Sequence, residues 1–104
     1  VTIVHSKTKN IEEICKNGDI IIAAVGKAKI VKSNWVKDTA IIIDVGINRI
    51  EINGKNKIVG DADFDDIQDK VKGISPVPGG VGPMTIACLL ENTLKAYKKI
   101  SKRI

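Results

Sequence analysis

Two kinds of hydrophobic pattern alternate along the chain. Apolar runs within residues 19–25 and 39–45 predict strands buried on both faces of a parallel sheet. Residues 1–5, Val-Thr-Ile-Val-His, alternate and predict a further strand that ends in the polar turn Ser6-Lys7-Thr8. Residues 73–77 predict a short strand, and an Asn53-Gly54 step between short apolar segments predicts a hairpin over 50–59. Between the strands lie helical signals. Ile11 and Ile14 give a short helix one apolar side, with Asn10 and Glu13 at capping-box spacing before it and Gly18 after it. One turn is predicted over 33–37, and Phe64, Ile67 and Val71 recur at helical spacing within 61–71. Pro83 opens a last helix whose stripe is Ile86, Leu90, Leu94 and Tyr97. Strands alternating with helices give an α/β fold with a parallel sheet flanked by helices.

Composition narrows the class. The chain has 104 residues, room for one small domain, and at 43% apolar it can bury a core. The net charge of +5 comes almost wholly from lysine, and Lys95, Lys98, Lys99, Lys102 and Arg103 crowd the end. A basic nucleic-acid-binding module would be expected to mix aromatics and arginines into such a cluster. Here only Arg49 and Arg103 are arginines, so the expected partner is not nucleic acid and the run reads as a solvated helix end. No apolar run reaches membrane-spanning length, and no membrane partner is expected. Cys15 and Cys88 stand far apart without neighbouring ligands, which predicts two buried, reduced thiols in a cytoplasmic protein and no metal site. The chain opens on Val1 directly into a strand pattern, which suggests a fragment or a processed product.

Ligands of open parallel sheets bind at the C-terminal ends of strands, and three strand ends here are unusual. His5-Ser6-Lys7-Thr8 offers donors and a positive charge where dinucleotide-binding folds often place an acid on the adenosine ribose; that substitution would suit a 2′-phosphate, although an ordinary polar turn explains it as well. Asp44-Val45-Gly46-Ile47-Asn48 puts a carboxylate at the end of a buried strand and a glycine beside it, either a ligand-facing backbone or a tight turn. Residues 75–85 hold three glycines and three prolines and run into a helix N-terminus, a rigid loop with exposed backbone.

The string Pro76-Val77-Pro78-Gly79-Gly80-Val81-Gly82-Pro83-Met84-Thr85 resembles the signature segment of methylenetetrahydrofolate dehydrogenase/cyclohydrolases. His5-Ser6-Lys7-Thr8, Asp44 to Asn48, Val59-Gly60-Asp61-Ala62-Asp63-Phe64 and Leu89-Leu90-Glu91-Asn92-Thr93 are similar to further segments of that family, in its order. The resemblance implies a partial Rossmann-like NAD(P)-binding domain over 1–104, with NADP as cofactor. It assigns Ser6, with His5 and Lys7, to the 2′-phosphate. It assigns Val45 and Ile47 to the nicotinamide side through their backbone, and Gly82 and Thr85 to the cofactor. Pro78, Gly79 and Gly80 are assigned to the border with a tetrahydrofolate substrate.

The same resemblance implies a parent enzyme that oxidises 5,10-methylenetetrahydrofolate and hydrolyses the methenyl product to 10-formyltetrahydrofolate, as a homodimer. The family's first nucleotide-binding strand, its Gly-Arg-Ser phosphate loop and its Tyr-x-x-x-Lys pair do not occur in this sequence. No residue is therefore assigned to catalysis, and this chain by itself is expected to be inactive. Two other readings stay open on the residues alone: a nucleotide-binding module of another dehydrogenase, and a basic binding module without catalysis.

Overall fold

The computed structural model describes residues 1–102. Its centre is a three-stranded parallel sheet in the order β1-β2-β5, formed by β1 (Ile20–Ala23), β2 (Ile41–Asp44) and β5 (Gly73–Ile74). Ile20 to Ala23 pair in register with Ile41 to Asp44. A separate antiparallel hairpin, β3 (Asn48–Ile52) and β4 (Lys55–Val59), follows β2 directly. Its turn places Asn53 at φ 52° and Gly54 at φ 77°, two consecutive left-handed residues whose twist matches the strands they join. The helices are α1 (Ile11–Lys16), α2 (Phe64–Ile67) and α3 (Val81–Ser101), with a 3-10 turn at Ser33–Trp35. The α/β class agrees with the pattern of the sequence, and so does the order of elements from the first helix onward.

One face of the sheet carries the core. Ala23, Val31, Val36, Ala40, Ile42, Ala62 and Ile67 form it, and Ile21, Ile30, Trp35, Val71 and Ile74 pack around it. The expectation of a sheet buried on both faces is met on this side alone. Ile20 and Ile22 keep 61% and 68% of their surface, because among the described residues no helix covers them. The predicted stripe of α3 is equally bare: the helix buries no residue, and Leu90, Leu94 and Tyr97 are exposed. Cys88 lies on this helix and is exposed, while Cys15 is half-buried; both are free, so the expected burial of the thiols fails where α3 lacks a covering layer. Burial, the larger influence, then the charge of Glu12 push the Cys15 thiol up. The lysine-rich end shows a Glu91–Lys95 pair at 3.2 Å, and Arg103 lies outside the described residues.

Three local expectations change. The strand expected over residues 1–5 does not form; a cleft of about 440 Å³ lies between Val1, Thr2 and Val4 and Ile20 to Ile22 of β1. Asn10 precedes α1 in the left-handed region at φ 55° and makes no capping bond, since a side-chain cap requires extended backbone at that position. The helix expected over 61–71 shrinks to α2, because Asp61 and Ala62 give their N–H groups to the Asp44 carboxylate and Asp63 gives its own to the Val31 carbonyl.

These differences set the stability of the two layers apart. Ile67→Ala, in a fully buried position, is expected to destabilise the 104-residue chain by about 3 kcal/mol. Leu94→Ala should change it by less than about 0.5 kcal/mol, since nothing among the described residues packs on it. Urea denaturation of the two variants checks both.

Candidate cofactor site

The C-terminal ends of β1 and β2 leave backbone N–H groups that no further strand pairs. Two buried aspartates take them up. Asp44, at the end of β2, accepts from Gly46 N–H at 3.0 Å and Asp61 N–H at 3.0 Å through Oδ1, and from Ala62 N–H at 2.9 Å through Oδ2. Asp61, with no exposed surface, accepts from Val25 N–H at 2.6 Å and Gly26 N–H at 3.0 Å through Oδ2. Its Oδ1 accepts from the Asn48 amide at 2.7 Å. Ser75 Oγ accepts the Asp44 N–H at 2.8 Å and ties the end of β2 to the chain leaving β5. Four separate segments, after β1, β2, β4 and β5, are thereby fixed to one another.

No lysine or arginine among the described residues pairs with either carboxylate. Desolvation by burial pushes Asp61 up, but the hydrogen bonds from Asn48, Gly26, Val25 and Lys27 together outweigh it and hold the carboxyl below its ordinary value of 3.8. Such a group is worth more bonded and ionised in the folded chain than in the unfolded one.

The glycines beside these aspartates are required by contact. A Cβ on Gly60 would overlap the Asp44 carboxylate, and one on Gly46 would overlap that of Asp61 and stand 2.7 Å from its backbone N. The sequence signals of this network are the pairs Gly60-Asp61 and Asp44 with Gly46. The sequence reading singled out Asp44 and Gly46 but gave Asp61, Asn48, Ser75 and Val25 no role. Asp61 was hidden because an acidic residue at the head of a helical pattern ordinarily reads as a solvated first turn.

Two clefts open around this hub. The first, of about 350 Å³, is lined by Val45, Gly46 and Ile47 from the end of β2 and by 76–82 and Thr85 from the loop into α3. It brings together Val45, Ile47, Pro78, Gly79, Gly80, Gly82 and Thr85, all the residues picked out at these two strand ends. Val77–Pro78 is a cis peptide, and Gly79 has φ 89°. An added Cβ at Gly80 would collide with the Pro76 carbonyl oxygen, so glycine there already has a reason within the loop. At Gly82 an added Cβ meets nothing within 4 Å. The Thr85 hydroxyl donates to Val81 O at 3.0 Å, which leaves its lone pairs available as acceptors.

The second cleft, of about 410 Å³, is lined by His5, Ser6, Ala24, Val25 and Lys27 over an apolar floor. Lys7 is not part of its lining. The turn is held by Thr8 N–H to His5 O at 2.9 Å and by His5 N–H to Thr8 Oγ1 at 2.9 Å. Lys7 N–H donates to His5 Nδ1 at 3.2 Å, which places the acceptor on that nitrogen and leaves Nε2 to donate outward. Lys27 adds a cation that sequence reasoning did not pick out. Among the described residues no group of three His, Cys, Asp or Glu could hold a metal ion, and no helix is long and apolar enough to cross a membrane.

Acid should loosen the hub. With the Asp61 carboxyl lowered in the fold, its contribution is complete well above pH 3.8 and is lost as the pH falls through and below that value; acid titration of Asp61→Asn, which has no such proton to bind, should show a shallower loss of stability in that range. Gly60→Ala should destabilise by about 2 kcal/mol or more by overpacking. Gly82→Ala, in open space in the first turn of α3, should not lower the melting temperature.

Comparison with known proteins identifies the family. Residues 1–101 match the family model of the tetrahydrofolate dehydrogenase/cyclohydrolase NAD(P)-binding domain. The bifunctional protein FolD of Anaplasma phagocytophilum is 56% identical over 113 aligned residues, which take in 100% of this chain and 37% of that protein. A crystal structure of the Campylobacter jejuni FolD methylenetetrahydrofolate dehydrogenase/cyclohydrolase superposes with a TM-score of 0.84 at 50% identity, over 94% of this chain and 34% of that one. The Trypanosoma brucei enzyme, solved with NADP cofactor and inhibitor, superposes with a TM-score of 0.83 at 39% identity, over 96% and 35%. The chain thus spans about a third of the length of these relatives. On the match of residues 1–101 and the shared architecture, the chain belongs to the tetrahydrofolate dehydrogenase/cyclohydrolase family, in the part that forms its NAD(P)-binding domain.

Proposed function

We propose that residues 1–104 are part of an NAD(P)-binding domain that holds NADP across the two clefts, the nicotinamide end against Val45, Ile47, Gly82 and Thr85 and the 2′-phosphate against Ser6 and His5. The observation that carries this reading is the first cleft, where the ends of β2 and β5, far apart in sequence, converge on one surface of exposed backbone. The walls suit the group: a flat ring needs close approach to main chain, and Gly82 presents open space where a side chain would stand. NADP, when bound, supplies the acceptor for a hydride; the chain's residues orient the ring and limit water around it. The NADP named for the T. brucei enzyme supports the choice of cofactor.

In the full-length protein this domain would serve the oxidation of 5,10-methylenetetrahydrofolate and the hydrolysis of the methenyl product, within one-carbon metabolism that feeds purine biosynthesis. Pro78, Gly79 and Gly80 would border the folate. The names of the relatives favour this over another dehydrogenase or a basic binding module. A cytoplasmic homodimer is the expected setting, with neither nucleic acid nor membrane as partner. The 104-residue chain holds no Tyr-x-x-x-Lys pair and should show no turnover of methylenetetrahydrofolate; product formation by the purified chain would contradict the reading.

Two substitutions test the cofactor placement in the full-length protein. Ser6→Asp puts a negative charge in the second cleft and should weaken NADP⁺ by about tenfold or more while leaving NAD⁺ within about twofold. Gly82→Ala should raise the Kd of both cofactors with the melting temperature retained. Equal loss of NADP⁺ and NAD⁺ on Ser6→Asp would remove the 2′-phosphate from that cleft.

A further inference from the structure

Asp44 is the one ionisable side chain among the residues that line the first cleft; the others are apolar, glycine, proline or threonine. Behind it Asp61 is fully buried. The two are joined through the Asp61 N–H to Asp44 Oδ1 bond, so one carboxylate lines the cleft and a second lies buried behind it. Every hydrogen bond they accept comes from a neutral N–H, and no cation among the described residues balances them. Neutral donors stabilise the anions locally but leave their net charge in place. Apolar walls of low dielectric let that charge act across the cleft more strongly than it would through water.

We propose that Asp44 and Asp61 set a redox preference in this domain: their negative charge favours the cationic, oxidised nicotinamide ring over the neutral dihydronicotinamide. The ring is in this cleft only by the reading given under Proposed function, on which the preference therefore rests. The two forms of the cofactor carry the same phosphates and ribose and differ by one positive charge on the ring. A charge at the cleft floor therefore separates them, whereas contacts at the second cleft act on both alike. The N-terminus of α3 also faces the first cleft, and its peptide dipoles, equivalent to about half a positive charge, act in the opposite sense. Against that half charge the two carboxylates carry a full unit each. Each is also a positioning residue, since it fixes the backbone of the cleft.

The discriminating measurement is the ratio of affinities. Kd values for NADP⁺ and NADPH are measured by titration calorimetry on the full-length wild type, Asp44→Asn and Asp61→Asn, with melting temperatures of the same preparations. The wild type should bind NADP⁺ at least as tightly as NADPH. In each variant the Kd for NADP⁺ should rise about tenfold more than that for NADPH. A purely structural role predicts equal rises in both, because a displaced loop harms either ring, and that result overturns the proposal. A wild type that binds NADPH the more tightly also overturns it, whether or not either variant folds. Failure of the wild type to bind either form would refute the cofactor site itself, a result distinct from binding both without preference.

Discussion

The structure depends on the N–H groups that a parallel sheet leaves over at its C-terminal edge. Three backbone N–H groups from the ends of β1 and β2, joined by two from the segment after β4 and by one side-chain amide, converge on the carboxylates of Asp44 and Asp61. Each bond by itself would contribute about 1–2 kcal/mol, and each donor left unpaired in the interior would cost as much or more. Only a carboxylate can serve here. An asparagine in either place would turn an NH₂ toward an N–H donor and lose an acceptor. Gly46 and Gly60 complete the arrangement, since the carboxylates lie against the Cα positions where other residues carry a side chain.

That hub explains why the two clefts share one framework. Val25 and Gly26, which lead out of β1 toward the cleft of His5 and Ser6, are held by the same Asp61 that receives Asn48 at the head of the hairpin. Val45 and Ile47 flank Gly46, whose N–H is held by Asp44. The loop segments that would meet the two ends of a dinucleotide are therefore positioned from one point. Little ordering entropy remains to be lost when a ligand binds to backbone held in this way. Other surfaces of the molecule have the contrary character. Ile20 and Ile22 of the sheet and the whole apolar stripe of α3 are exposed, and the core is confined to a single face.

The sequence made the ladder of elements legible because buried parallel strands and the Asn53-Gly54 turn have strong local signatures. It also made the strand-end candidates legible, and seven of them line one cleft. What it concealed was non-local. The alternation of residues 1–5 predicts a strand that does not form, because a ladder needs a neighbour that pattern alone does not supply. The stripe of α3 reads as a buried face, since periodicity reports that a helix has an apolar side and says nothing of what covers it. Asp61 carried the strongest local signal in the wrong direction. Followed by Asp63, Asp65 and Asp66, it belonged to an acidic first turn by composition, and only its bonds to Val25, Gly26 and Asn48 reveal it as interior.

The glycines of the loop into α3 separate what folding requires from what it does not. Gly79 adopts φ 89°, a conformation strained for any residue with a side chain, so the turn itself selects it. Gly80 faces the Pro76 carbonyl, and packing within the loop selects it as well. Gly82 has neither reason. It stands in the first turn of a regular helix, its added Cβ would meet open space, and glycine within a helix is about 1 kcal/mol worse than alanine. A residue that helix stability disfavours and packing does not demand points to a constraint outside the fold. It stands on the wall of the cleft beside Val45 and Ile47, where the proposed cofactor site would give such a constraint a source. Three glycines in four residues, which in the sequence look like one motif, thus differ in kind: backbone conformation requires Gly79, packing requires Gly80, and Gly82 alone has no reason within the fold.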